Sequence, residues 1–330
     1  MRSIIRDAVV ATTRPYIGTL QGLVILIARP YIWRELPGWE RLFRLFEYRD
    51  WLWIAAPVKA IRGKVHGYVM HLNIAEWADR KTYFLGRWDD LATQLLMETV
   101  INRGDTVIDV GANRGMFALT ASHLVGEGGL VICFEPNPNC LRVLRNEIES
   151  NSLSNVVVNE MALGSRNERI NLAVPKYNSG QGTLASNLYC GDAIYEVAVE
   201  VKVGDDFLDS QRPSFLKIDV EGFETNVVKG LINTIRRNRP IIMTEVNPSF
   251  LAACGSSFEE FVALMRGLDY CGYKLDVKKR NGRNDWFLTN LEPENCDALW
   301  LHSSAIKERA EMFHDHMIEC LANGAGDQRN

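Results

Sequence analysis

The chain has 330 residues, 47% of them hydrophobic, and a formal charge of −4. That composition is ordinary for a globular protein able to bury a substantial core, and the acidic balance argues against nucleic acid as the main partner. Seven cysteines occur without a C-x-x-C pair, an odd count that points to reduced thiols and a cytoplasmic setting rather than a disulfide framework.

Residues 1–80 read as an extension of short helices broken at Pro15, Pro30, Pro37 and Pro57 and rich in Arg and Trp. Its apolar stretch "GLVILIA" is too short to span a bilayer, which leaves a buried helix or one that lies on a membrane surface or a partner. From about residue 81 the pattern changes. Leu91, Leu95, Leu96 and Val100 recur at helical spacing, and then strands and amphipathic helices alternate: "TVIDV", "LVICFEP", "VVVNEMAL", "FLKIDVEG" and "PIIMTEVN" are the strands. One helix is predicted over residues 224–238. Short Val- and Ile-rich strands between helices imply a parallel sheet covered on both faces, an α/β fold. The last strands, "YKLDVK" and "DALWLH", are joined by a polar loop and form an antiparallel edge, and "RINLAVP" with "EVAVEVKV" reads as an inserted hairpin. Residues 305–330 read as a C-terminal helix and a disordered tail; His314, His316 and Cys320 there have no second cluster, so zinc is not expected.

The chemistry concentrates at "DVGANRG". Gly111 lets the backbone approach a ligand, Gly115 lets the following helix start tightly, and Asp109 ends the strand. The middle glycine of a dinucleotide turn is missing, and an acid beside the turn repels a diphosphate but suits an ammonium. Glu135, about 20 residues after Gly115, ends the second strand, where an acid can hold both hydroxyls of a ribose. Ribose plus a cationic amino-acid end describes S-adenosylmethionine.

With "VIDVGANRG", "FEPNP" and "LKIDVEGFE" in this order, the chain resembles the FkbM family of S-adenosylmethionine-dependent methyltransferases over residues 81–304. The resemblance implies a Rossmann-like class I methyltransferase fold with a seven-stranded, mostly parallel sheet and an antiparallel edge pair. It also implies methyl transfer to oxygen, on a sugar or a polyketide-type product. Asp109, Gly111, Ala112, Asn113, Gly115, Glu135, Pro136, Asn137, Ala162 and Asp219 are the candidate cofactor contacts. "GRWDD" departs from the family pattern and leaves the roles of Asp89 and Asp90 open.

Lys217, Asp219 and Glu221 sit at alternate positions of the fourth strand, one face of an extended chain. Three charges on a central strand are costly unless paired or functional, so Lys217, Asp219, Glu221 and Glu245 are the catalytic candidates, with Asp219 as the residue nearest the methyl group. Glu245 pairing with Lys217 is the structural alternative. Asp219, Glu221 and Glu245 together offer oxygen ligands to a divalent cation, although a metal is not the favoured reading. Asn247 and Ser179, the latter in the glycine-rich loop at residues 177–187, are candidate acceptor contacts. A sugar, glycan or glycolipid acceptor is expected. The extension is assigned to a glycosyltransferase partner or to the inner membrane face, and a homo-oligomer stays open. Two other classes are a cofactor-binding scaffold without catalysis and a nicotinamide oxidoreductase; the missing middle glycine of the turn argues against the latter.

Overall fold

The computed structural model of the chain describes residues 2–54, 56–175, 182–184, 194–280 and 283–304. The chain divides into two units, residues 1–89 and 90–330.

The first unit contains α1 (Arg2–Trp33), α2 (Trp39–Arg44), α3 (Asp50–Trp53), β1 (Val58–Arg62), β2 (Val69–Asn73) and α4 (Trp77–Leu85). The expected breaks at Pro15 and Pro30 do not occur, since α1 runs through both, and the antiparallel pair β1–β2 makes the extension only partly helical. The buried face of α1, carrying Gln21, Ala28 and Ile32, packs within this unit. Beside it Phe43, Phe46, Trp53 and Phe84 form a ring cluster, with Phe46 and Phe84 centroids 5.0 Å apart. Such packing offsets the hydrogen bond that Pro30 removes.

The second unit begins with α5 (Leu91–Val100), N-capped by Asp90, and continues with β3 (Thr106–Val110), α6 (Met116–Val125), β4 (Leu130–Phe134), α7 (Pro138–Ser150) and β5 (Val156–Asn159). A side layer comes next: β6 (Ala162–Gly164), β7 (Glu168–Pro175), β8 (Ile194–Val203) and the short α8 (Asp205–Leu208). The chain then re-enters the main sheet through β9 (Pro213–Ile218), α9 (Glu224–Gly230), α10 (Ile232–Asn238), β10 (Ile241–Val246), α11 (Pro248–Ala253) and α12 (Phe258–Arg266). It ends in β11 (Tyr270–Arg280), β12 (Arg283–Asn290) and β13 (Cys296–His302).

The main sheet has the order β12-β11-β13-β10-β9-β3-β4-β5. Strands β10, β9, β3, β4 and β5 run parallel, and β13, β11 and β12 join antiparallel. The sheet therefore has eight strands rather than the seven expected. The additional one, β12, lies in the stretch read as a polar loop; Trp286 and Leu288 point into the core from alternate positions, and the polar residues between them hide the period. The inserted hairpin is β7–β8, which β6 joins to make a three-stranded sheet. The single helix expected over residues 224–238 breaks at Leu231. Gly230 lies against the Gly164 carbonyl with no room for a Cβ, so this join is set by close packing on β6.

The chain leaves β3 to one side through β4 and β5 and returns on its other side as β9 and β10. Strand order thus reverses between β3 and β9, the place where open parallel sheets bind ligands beyond the strands' carboxyl ends.

Candidate active site

A cleft opens at that point, and its floor is the turn after β3. Gly111 has φ +79, and a Cβ there would strike the carbonyl oxygen of Asp219, so only glycine allows this approach. The amides of Gly111 and Ala112 both donate to the Phe134 carbonyl, at 2.9 and 3.1 Å, which ties the turn to the end of β4. Gly115, at φ +92, starts α6 with its Cα against Leu144. Gly111 and Asn113 line the cleft; Ala112 and Gly115 shape the turn from behind and are not among its walls.

Glu135, next after β4, lines the cleft while only 6% exposed. Its carboxylate accepts the amide of Asn113 and the amide of Asn137, each at 2.7 Å, and is thereby fixed in one orientation. Burial pushes its pKa up to about 7, against the pull of those two amide bonds. A carboxylate has about four lone-pair directions, so two remain for hydroxyl donors, which fits a ribose diol. Pro136, Asn137 and Ala162 complete this side, and Phe134, Leu163, Leu172 and Leu184 add apolar wall suited to an adenine ring.

Asp109 is placed differently from expectation. It is fully buried and absent from the cleft walls, because the register of β3 against β9 sets it beside Lys217. The Lys217 ammonium lies 3.1 Å from Asp219 and 3.5 Å from Asp109. Burial alone would lower its pKa, but the two carboxylates outweigh that and hold it above the usual lysine range. Asp109 is raised to about 6 by burial, with Lys217 opposing. Lysine thus anchors one carboxylate beneath the turn and one, Asp219, at the cleft.

The alternate-face reading of Lys217, Asp219 and Glu221 needs a correction. Strand β9 ends at Ile218, and Glu221 has φ +54, so Asp219 and Glu221 project from a turn rather than from one strand face. A left-handed non-glycine residue costs about 1–2 kcal/mol, and such residues concentrate at functional sites. Two contacts hold the turn: the Glu221 carbonyl accepts the Thr183 hydroxyl at 2.7 Å, and Glu224 accepts the amides of Val220 and Gly222. Glu245, at the end of adjacent β10, brings a third carboxylate; oxygens of Asp219, Glu221 and Glu245 all lie within 4.8 Å of one another. Burial first, and then the Asp219 charge, raises Glu221 to about 8 and Glu245 to about 10. Three oxygen ligands this close fit a hard divalent cation, or alternatively a set that shares protons at neutral pH.

The alternative pairing of Glu245 with Lys217 is not formed; the ion pairs of Lys217 go to Asp109 and Asp219. Asn247 caps α11 by accepting the Phe250 amide and is not part of the cleft wall. Ser179, like His314, His316 and Cys320, lies outside the described residues. Asp89 pairs with Lys81, and Asp90 caps α5. Sequence reasoning missed Leu172, Leu184, Cys140 and Phe223 as cleft walls. The alternation of β7 marks Leu172 as inward-facing, but no local signal says which cavity it faces.

A mostly parallel sheet with its cleft at the switch point, a glycine turn under it and an acid on the neighbouring strand end make a Rossmann-like fold whose site fits S-adenosylmethionine. The model of the methyltransferase FkbM domain matches residues 109–275, about half of the chain, and the chain belongs to that family. It is 30% identical over 148 residues to methyltransferase 1 of Beauveria bassiana, covering 38% of this chain and 57% of that protein. It is 27% identical over 195 residues to the hexuronic acid methyltransferase AglP of Haloferax volcanii, covering 56% of this chain and 75% of the relative. The chain therefore spans little more than half the length of the Beauveria protein. Among solved structures, methyltransferase FkbM from Methylobacillus flagellatus aligns at 14% identity and a TM-score of 0.37, over 69% of this chain and 54% of that one.

Proposed function

We propose that the chain is an O-methyltransferase that transfers the methyl group to a hydroxyl of a carbohydrate or glycoconjugate. The observation that carries this reading is the convergence of Asp219 and Glu221, which line the switch-point cleft, with Glu245 within 4.8 Å of both, where carboxylates offer acceptors to a polyhydroxylated molecule. The name of the Haloferax relative supports a sugar acceptor.

Bound S-adenosylmethionine supplies an electrophilic methyl carbon on a sulfonium. The Glu135 carboxylate and the Gly111 turn hold the cofactor, and positioning of the acceptor supplies much of the acceleration. Asp219 receives the acceptor's proton. An aliphatic hydroxyl becomes acidic only as its oxygen gains the new bond, so a carboxylate suffices as base when it accepts the proton late in the step. Lys217, 3.1 Å away, keeps Asp219 oriented. Glu221 and Glu245, which hold protons more tightly, can donate hydrogen bonds to acceptor oxygens.

Two variants separate binding from chemistry. Asp219→Asn is expected to lose about 100-fold or more in methyl transfer, far more than it loses in S-adenosylhomocysteine binding by calorimetry. Glu135→Ala is expected to weaken that binding about tenfold or more, the worth of charge-assisted hydrogen bonds. Transfer at the wild-type rate by Asp219→Asn would remove the base assignment. An enzyme that methylates polyketide-type hydroxyls and no sugar among hexoses, uronic acids and oligosaccharides would overturn the acceptor class.

A further inference from the structure

Between Leu20 and Ile32, helix α1 exposes apolar side chains opposite its buried face. Gln21, Ala28 and Ile32 face the interior of the first unit, while Leu20, Leu23, Leu26 and Ile27, 41, 51, 73 and 64% exposed, lie on the opposite face. At about 100° per residue these four span an arc of roughly 120°. A solvated helix face carries charges, as α7 does with exposed Arg142, Arg145 and Glu149, but no charged residue occurs between Arg14 and Arg29. The neighbouring α3, tied to α1 by the Gln21 amide donating to the Leu52 carbonyl, exposes Trp51, and Ile54 just after it is exposed too. A contiguous exposed apolar helix face of this kind marks a docking surface.

Charge selects the occupant. Residues 1–89 carry 14 Lys and Arg against 8 Asp and Glu, a surplus of six positive charges, whereas residues 90–330 carry 23 against 33, a surplus of ten negative charges. Exposed Arg34, Arg41, Arg44 and Arg49 follow the apolar face in sequence. A second copy would set this positive surplus against itself. An anionic surface with an apolar layer beneath it satisfies both features, and no helix among the described residues is long and apolar enough to cross a membrane.

We infer that the first unit docks the chain on anionic lipid: the outer face of α1 enters the boundary between headgroups and acyl chains, and the arginines add electrostatic attraction. The helix lies in the membrane plane, as interfacial helices with a short apolar face do.

The test is flotation of the full chain with phosphatidylcholine vesicles made with and without phosphatidylglycerol. The expected result is flotation with the anionic vesicles and about tenfold or more weaker partitioning without the anionic lipid. A triple variant, Leu23→Glu with Leu26→Glu and Ile27→Glu, is expected to lose about tenfold or more, with S-adenosylhomocysteine binding retained as the control for folding. If that variant loses its fold, Arg41→Glu with Arg44→Glu decides, with a loss of about tenfold expected from two reversed charges. A full chain that stays unbound in the presence of phosphatidylglycerol, or a folded variant that floats equally well, would overturn the inference. So would a dimer in sedimentation that the triple variant dissociates without any vesicle binding, which would assign the face to a second copy.

Discussion

The two units place their charge in opposite ways. In the first, Glu35 is held by Arg87 in two contacts of 2.8 and 3.0 Å and by Lys64 at 2.9 Å, so one acid is matched by two cations. In the second, one cation, Lys217, serves Asp109 and Asp219 while Glu221 and Glu245 crowd nearby. The first arrangement is neutralised and structural. The second carries excess negative charge in a partly buried place, which costs stability and is retained where a proton, a hydroxyl or a cation is handled.

The largest expected effect tests that contrast directly. Lys217→Met leaves the buried Asp109 and the cleft-facing Asp219 without a cation and is expected to destabilise by about 3–5 kcal/mol, whereas Lys64→Met, from a pair about a quarter exposed, is expected to cost about 0–1 kcal/mol. Denaturant melts of the two variants check this, and equal losses would refute the contrast.

Glycine offers a second, smaller comparison. Gly38 in the first unit and Gly111 in the second have nearly the same φ, +81 and +79, but a Cβ at Gly38 meets nothing within 4 Å. Gly38→Ala isolates the backbone strain, about 1 kcal/mol. Gly111→Ala adds a collision with the Asp219 backbone and is expected to cost about 1–3 kcal/mol more and to weaken S-adenosylhomocysteine binding. Similar melts and similar binding would mean that the turn yields.

The smallest expected effect is in pH dependence, where the units have opposite signs. Burial raises the Glu35 pKa, but Arg87 and Lys64 outweigh it and the net shift is downward. Its contribution to stability is present above the ordinary glutamate value and lost as pH falls through the folded one. Glu135 and Glu224, both near 7, and Glu221 and Glu245 are shifted upward, so the folded state holds more protons. Their contribution is present below the ordinary value and lost as pH rises through the folded ones. The melting temperature of the full chain is expected to fall from pH 5 to pH 9, and Glu245→Gln should flatten that slope by roughly a few degrees. Glu35→Gln should lower the melting temperature at pH 7, and by less as the pH falls through the lowered Glu35 value. A slope unchanged by Glu245→Gln would mean that this carboxyl is not proton-sharing.

Much of the site was legible in the sequence because its parts are local. The Gly111 turn, Glu135 at the end of β4 and the acids around Asp219 are each set by a short strand and the turn at its carboxyl end. Their neighbours were not legible. Asp109 looked like a ligand contact because acids at strand ends usually face the rim, yet its strand register buries it beside Lys217. Likewise β12 was hidden by polar residues flanking Trp286 and Leu288, and its partner β11 decides that it is a strand.

The sequence by itself determined the α/β alternation, the glycine turn, the acid at the end of β4 and the family, since these rest on spacing within one strand-turn-helix unit. Only the tertiary structure decided that Glu245 meets Asp219 and Glu221, that Lys217 bridges two carboxylates, and that the outer face of α1 stays uncovered. Each depends on which distant segment lies alongside, and the free energy of that pairing is shared between segments far apart in the chain rather than carried by either one.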